Sequence, residues 1–411
     1  MKKNYNHHYL IAALFLVITV DTMGIGFVWP LFGPLFTGKN TTLFTSAVSM
    51  EWRNILYGIT IGVANLAAFL CAPILGDISD YIGRRRVLLF CLIGTSLGMG
   101  VSVLGVIFNR VSLIIFSRVW LGAVAASQVI AQAAIIDIST TNNKSARLGV
   151  ISAANNIGFI FGPVVSSVLV DNTLVRWFNI TTPFYFAAIL AFLGAIFLLT
   201  VFKDPQKIAS SLPAQPIKPP LIKRIFVFTR AFANKYMRGM AIAYFCLQIG
   251  WALYLQTNFL CLIQRHGYSS STLGYFLAWL GVVFCFGLLV VVRLLTNFIS
   301  LTKISYVTFI MASICCFVGV FYNTELGIWL NILPMAMAVA LGSNSVLTSL
   351  SNIAKVHEQG WAMGIGGSLA ALAWAITPPI TGAILIFGFG VPLYIAGVVF
   401  SLGGIIILRS R

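Results

Sequence analysis

Apolar residues run along this chain in blocks, each bounded by charged or turn-forming residues. A helix needs about 20 mainly apolar residues to cross a hydrocarbon core roughly 30 Å thick. The blocks predict twelve such elements: Tyr9–Phe36, Ile55–Leu75, Val87–Phe108, Val111–Ile138, Leu148–Val170, Thr182–Phe202, Tyr236–Ile263, Thr272–Leu295, Leu301–Tyr322, Leu326–Ile353, Trp361–Phe387 and Val391–Leu408. Several contain Gly or Pro, which membrane helices tolerate because neighbouring helices satisfy the freed backbone groups.

The pattern breaks once at length, over Lys203–Lys235. Pro205, Pro213, Pro216, Pro219 and Pro220 suit a tether there and forbid a long helix in its middle. Residues 1–202 therefore form one six-helix half, 203–235 a cytoplasmic linker, and 236–411 a second six-helix half. The halves carry a trace of duplication. Leu148-Gly149 and Met363-Gly364 are 215 residues apart, as are Pro163 and Pro378 in the fifth and eleventh elements. Paired repeats are typical of secondary transporters.

Composition removes the soluble alternatives. The 411 residues are 59% hydrophobic and 9% charged, against roughly 45–50% and about 25% in soluble domains. The expected fold is an all-α polytopic membrane protein. The net charge of +17 needs no nucleic acid. With the N-terminus in the cytoplasm, 20 of the 26 Lys and Arg fall inside, five outside, and Arg118 within a span. That bias is the positive-inside rule and predicts an inner-membrane protein with both termini cytoplasmic. Asp21 and Gly-rich sequence follow the first apolar residues where a signal-peptide cleavage site would sit, so the first helix is read as retained. The seven cysteines lie in apolar runs with no C-x-x-C spacing, and the four histidines in the tail and loops. No metal, cofactor or catalytic group is expected from them.

Between the second and third elements lies Gly76-Asp77-Ile78-Ser79-Asp80-Tyr81-Ile82-Gly83-Arg84-Arg85-Arg86. Three arginines alone are an inside anchor. A carboxylate four residues earlier and glycines at both ends suggest more: a tight turn carrying a charged latch, with Asp80 available to an arginine. This stretch resembles the loop pattern G-x-x-x-D-[RK]-x-G-R-[RK]-[RK] of the major facilitator superfamily. Gly76, Asp80, Gly83, Arg84, Arg85 and Arg86 match, and Tyr81 stands where the family has a basic residue. The resemblance implies a latch between the two halves. Asp21-Thr22-Met23-Gly24-Ile25-Gly26-Phe27-Val28-Trp29-Pro30 resembles the first helix of tetracycline/proton antiporters, and Phe69–Gly76 their second. Arg118 with Gly122 resembles the fourth-helix motif. Gly158-Phe159-Ile160-Phe161-Gly162-Pro163 resembles the fifth-helix antiporter motif, and Gln359-Gly360 with Gly364–Leu372 again the tetracycline branch. The second half lacks the intramembrane acid of tetracycline exporters.

Of nine acids only Asp21 falls deep in a span, and Arg118 is the only deeply placed cation. An ionisable group at that depth is a functional hypothesis by default. Asp21 is about 18 Å from the inner end of its element and Arg118 about 9 Å from the outer end of its own, at 1.5 Å per residue. The two levels are similar, so a pair is geometrically allowed. Gln128 and Gln132 follow Arg118 at offsets that return near its face on a continuous helix. With Asn155, Gln248, Trp251, Asn344 and Trp374 they suggest a cavity with aromatic and amide walls, though singly each such residue is more often a helix–helix contact.

The expected function is export of a small, largely apolar organic compound in exchange for protons, by a monomer in the bilayer. Asp21 carries the proton, Arg118 tunes it, and the halves rock about a central site. A proton-coupled importer of a nutrient or metabolite is the first alternative, because a fold does not fix direction. A membrane sensor would need an output domain that Lys203–Lys235 is too short to supply. An ATP-driven pump would need a G-x-x-x-x-G-K-[ST] loop, which the chain lacks.

Overall fold

The computed structural model describes residues 7–39, 41–45, 47–137, 139, 144–202, 235–321, 324–353 and 359–409. The linker expected at 203–235 lies, apart from Lys235, outside the described residues. Among the described residues there are twelve helical spans long and apolar enough to cross a membrane, and no strand. Their large apolar side chains are exposed on many faces, as at Leu97, Phe116, Ile189 and Val307. A lipid-facing surface has this character and a soluble one does not.

Four spans are not simple helices. The first is α1 (His7–Gly26) and α2 (Val28–Thr37), parted by a turn at Phe27. The second and third are α3 (Met50–Ile82) and α4 (Arg84–Ile107). The fourth is α5 (Val111–Ala123) and α6 (Ser127–Asp137), followed by α7 (Lys144–Val170) and α8 (Thr182–Val201). In the second half come α9 (Lys235–Gln264) and α10 (Ser270–Phe286), which passes through a π-turn at Gly287–Val291 into α11 (Val292–Leu295). Then follow α12 (Leu301–Phe321), α13 (Glu325–Ile353), α14 (Gln359–Ile384), ending in a 3₁₀ turn at Leu385–Phe387, and α15 (Gly390–Arg409).

The contacts sort the chain into two compact units. One holds the chain through Leu31 and from Ala67 to α8; the other holds Phe32–Leu66 with α9 onward. Within the first, α1 packs on α7 and α8, and α4 on α5 and α8. Within the second, α9 packs on α14 and α15, and α12 on α13 and α15. The same pairing therefore recurs one half later. Pro163 and Pro378, 215 residues apart, both lie inside the helix that packs on the first helix of its six-helix half.

Side-chain amides also tie these helices together, accepting or donating at backbone groups of their neighbours. Gln256 Nε2 donates to Pro378 O at 3.0 Å, joining α9 to α14. Segment 32–66 joins the second unit for a steric reason. A Cβ added at Gly58 would overlap Pro378 O, one at Gly62 would overlap Ala375 O, and one at Gly382 would overlap Asn54 O. Backbones this close need residues without side chains. Gln264 Nε2 donates to Asn54 Oδ1 at 2.6 Å beside them.

Candidate functional site

Asp21 sits on α1 at 9% exposure, just beyond an apolar cluster built by Leu14, Val17 and Ile18 of α1 with side chains of α4, α6, α7 and α8. Thr95 of α4 donates its hydroxyl to Asp21 Oδ1 at 3.3 Å. Ser127, fully buried at the start of α6, lies beside the same carboxylate and the Cys91 thiol, and its Oγ makes no hydrogen bond of ordinary geometry. The arrangement depends on the break in the fourth span. Ala126 N–H bonds back to Val124 O, the regular ladder stops, and α6 starts afresh at Ser127. A helix start carries partial positive charge from its unbonded N–H groups, and this one lies at the carboxylate. Hydroxyls both donate and accept. Thr95 and Ser127 can thus donate to an ionised Asp21 and accept from a protonated one, so the site serves either state without rearranging.

Arg118 is buried at 6% exposure on α5, on the far side of the break from Ser127. No ion pair joins it to Asp21 among the described residues. The break removes the basis for placing Gln128 and Gln132 on the face of Arg118. That offset assumed one continuous helix, whereas three residues between α5 and α6 reset the rotation. Both glutamines are half-buried on α6.

The fifth-helix motif holds α1 in place. A Cβ at Gly158 would overlap Thr22 Oγ1 and lie 2.5 Å from Thr19 O; one at Gly162 would lie 2.7 Å from Met23 O. Pro163 Cδ would lie 2.9 Å from a Cβ at Gly26. Gly158, Gly162 and Pro163 thus meet α1 on either side of Asp21 in sequence.

The arginine motif is mostly helix. Gly76–Ile82 continue α3, and a Cβ at Gly76 would meet only Val129 at 3.8 Å, so Gly76 forms no turn and needs no close approach. The turn is Gly83 alone, at φ 103 and ψ 146, a region that only glycine occupies without strain. It lets α4 begin at Arg84. That guanidinium pairs with Asp80 at 2.5 Å and with Asp137, at the end of α6, at 3.2 Å; it also donates to Ser79 Oγ. Arg85 donates to Leu199 O on α8. The latch is therefore a node joining α3, α4 and α6. The sequence gives no sign of Asp137 as a partner, because it lies 53 residues from Arg84. These pairs are partly exposed and worth about 1 kcal/mol each. We expect Asp80→Asn and Asp137→Asn to slow turnover several-fold with substrate affinity nearly unchanged, compared at equal membrane abundance. Wild-type turnover in both would reject a gating role.

In the second unit most of the predicted polar residues fall into two bonded groups. Gln248 Nε2 donates to Tyr244 Oη at 2.8 Å, and Trp374 Nε1 donates to Gln248 Oε1 at 3.3 Å. Trp251 stacks on Tyr254 at 6.2 Å between centroids and 13° between planes. Tyr254 Oη donates to Asn331 Oδ1 at 3.2 Å. Asn344 is exposed on α13 and stands apart from these bonds. Asn155, half-buried on α7, belongs with Gln128 and Gln132 to the other unit. Among the described residues no His, Cys, Asp and Glu side chains cluster as metal ligands.

The Major Facilitator Superfamily profile matches residues 14–378. The tetracycline resistance protein, class H, of Pasteurella multocida is 26% identical over 283 residues, 67% of this chain and 64% of that protein. The class C protein of Escherichia coli is 27% identical over 55% of this chain and 50% of its own length. The chain thus spans between half and two thirds of the length of these two relatives. The quinolone resistance protein NorA of Staphylococcus aureus is 26% identical over 362 residues, 85% of this chain and 86% of that protein. A bacterial homolog of the human lysosomal transporter Spinster, in an inward-facing occupied conformation, superposes with a TM-score of 0.79 at 13% identity, over 100% of this chain and 97% of its own. A D-xylose–proton symporter gives 0.76 at 15% identity, over 99% and 98%. At such identities the likeness shows the fold.

Proposed function

Because the chain belongs to the Major Facilitator Superfamily, and is a multi-pass membrane transporter and not an enzyme, we propose that it exports a small, largely apolar organic compound in exchange for protons. The observation that carries this reading is Asp21, a carboxylate buried within a span and faced by two hydroxyls that serve both of its protonation states. Burying a carboxylate is costly, and reversible protonation is the simplest use for one held this way. Arg118 places a second buried charge in the same unit, where it tunes the site from α5. The names of the relatives supply trial substrates: a quinolone and a tetracycline.

The orientation we propose follows from the Lys and Arg bias: a monomer in the inner membrane with its termini and linker in the cytoplasm. Reporter fusions at Gln215 and Gly388 check the topology. Gln215 is expected in the cytoplasm and Gly388 outside; the reverse of either contradicts it. The function is checked in everted membrane vesicles. An imposed gradient, acid inside, is expected to drive uptake of the trial compounds, and collapse of the gradient to release them. Uptake indifferent to the gradient contradicts proton exchange.

A further inference from the structure

Between α12 and α13 the surface of the second unit is cut by an apolar groove of about 700 Å³. Its walls are the exposed side chains of Ile310, Ile314, Val318, Leu330 and Pro334. The volume lies within the usual range for small-molecule sites, about 300–1,000 Å³. Through Met311 and Pro334 it continues into a second apolar groove against α10. Both helices are spans, so these walls lie in the hydrocarbon region.

One polar side chain lines this groove. Asn331 is six residues from the start of α13, about 9 Å along the helix. A polar group beside lipid is costly unless it is hydrogen-bonded. Its partners use only half of its capacity. Oδ1 accepts from Tyr254, and Nδ2 donates to Cys315 O at 3.0 Å. An amide offers two N–H groups and two lone pairs, so one of each is left for a molecule in the groove.

What lies behind Asn331 gives the groove a direction. Tyr254, which Asn331 holds, is the stacked partner of Trp251 on α9. Trp251 is three residues from Gln248, the residue bonded to Trp374. Asn331, Tyr254 and Trp251 thus lead from the lipid-facing groove to α9, one helical turn from Gln248 of the polar wall. We propose that the groove is a lateral binding site for a membrane-dissolved apolar compound with one hydrogen-bonding group, linked by Tyr254 and Trp251 to that wall. The proposal rests on the export reading above and adds where the cargo meets the bilayer. An acyl chain of a bilayer lipid fits the walls but leaves the amide unused, so it is the weaker occupant.

The test is photolabelling of purified protein in lipid nanodiscs with no pH gradient. The probe is a para-alkylphenol carrying a diazirine in its chain; a control is phosphatidylcholine with a diazirine in one acyl chain. Alkylphenol adducts are expected to concentrate on α12 and α13. Filling the groove with Ile314→Trp should reduce them about tenfold, and Asn331→Leu about fivefold, the equivalent of one neutral hydrogen bond. Val318→Phe, at the exposed rim, repeats the filling test should Ile314→Trp fail to fold. The phosphatidylcholine control should be insensitive to Asn331→Leu. Adducts spread evenly over the lipid-facing helices, or unchanged by filling, overturn the proposal. Equal dependence of the phosphatidylcholine adducts on Asn331 also overturns it and makes the groove a lipid site. Because no gradient enters the readout, loss of labelling leaves the export reading intact, and failure of proton coupling leaves the groove intact.

Discussion

Asp21→Asn is expected to abolish gradient-driven accumulation while leaving substrate binding in place and insensitive to pH. Asparagine keeps the size of the side chain and its hydrogen bond from Thr95, so α1 should pack as before. It has no proton to gain or lose between pH 5 and 9. Coupled transport by an exchanger requires the carrier to release its proton when substrate binds, and a residue fixed in one state cannot do so. Exchange of labelled for unlabelled substrate across the membrane needs no net proton movement and should survive. Measured in proteoliposomes, the expected pattern is exchange near the wild-type rate with accumulation lost. Loss of both activities with intact binding would place Asp21 in the conformational change instead. Full accumulation would remove it from coupling altogether.

Gly158→Leu is expected to have the largest effect on folding. A side chain there meets Thr22 Oγ1 and the Thr19 carbonyl. The hydroxyl can rotate away, but the carbonyl is part of the α1 ladder and cannot. The helices must separate, and α1 carries Asp21 with it. Overpacking of this kind costs about 3 kcal/mol, enough to remove most folded protein from the membrane. Gly149→Leu, on the same helix with nothing within 4 Å, is the control and should fold normally. Size-exclusion profiles of the two, extracted in mild detergent, make the comparison. A monodisperse, active Gly158→Leu protein would show that α1 and α7 do not need this approach.

The spans were readable because hydrocarbon thickness imposes one length, and apolar runs between charges report it directly. Where helices break was not readable. Val124-Ala125-Ala126 contains neither Gly nor Pro and would continue a helix by propensity, so its interruption comes from tertiary packing. That unseen break undoes the helical offset from Arg118 to Gln128 and Gln132 and starts α6 at Ser127, beside Asp21. The depth of Asp21 was readable; Thr95 and Ser127 were not, because small hydroxyl residues are common in membrane helices and signal nothing singly. The arginine motif showed its charges but not that Gly76–Ile82 stay helical, since a glycine pair suits a turn and a close helix approach equally. The grouping of Phe32–Leu66 with the second unit depends on Gly58, Gly62 and Gly382 meeting distant backbone. No local pattern predicts which partner a glycine face will find.

The central claim is that substrate and proton exchange at Asp21. It is tested most directly by loading proteoliposomes with a pH-sensitive dye and adding a quinolone outside. Wild-type protein should move protons outward as the compound enters, and Asp21→Asn protein at equal density should move none. Proton movement of wild-type size in the Asp21→Asn vesicles would contradict the account.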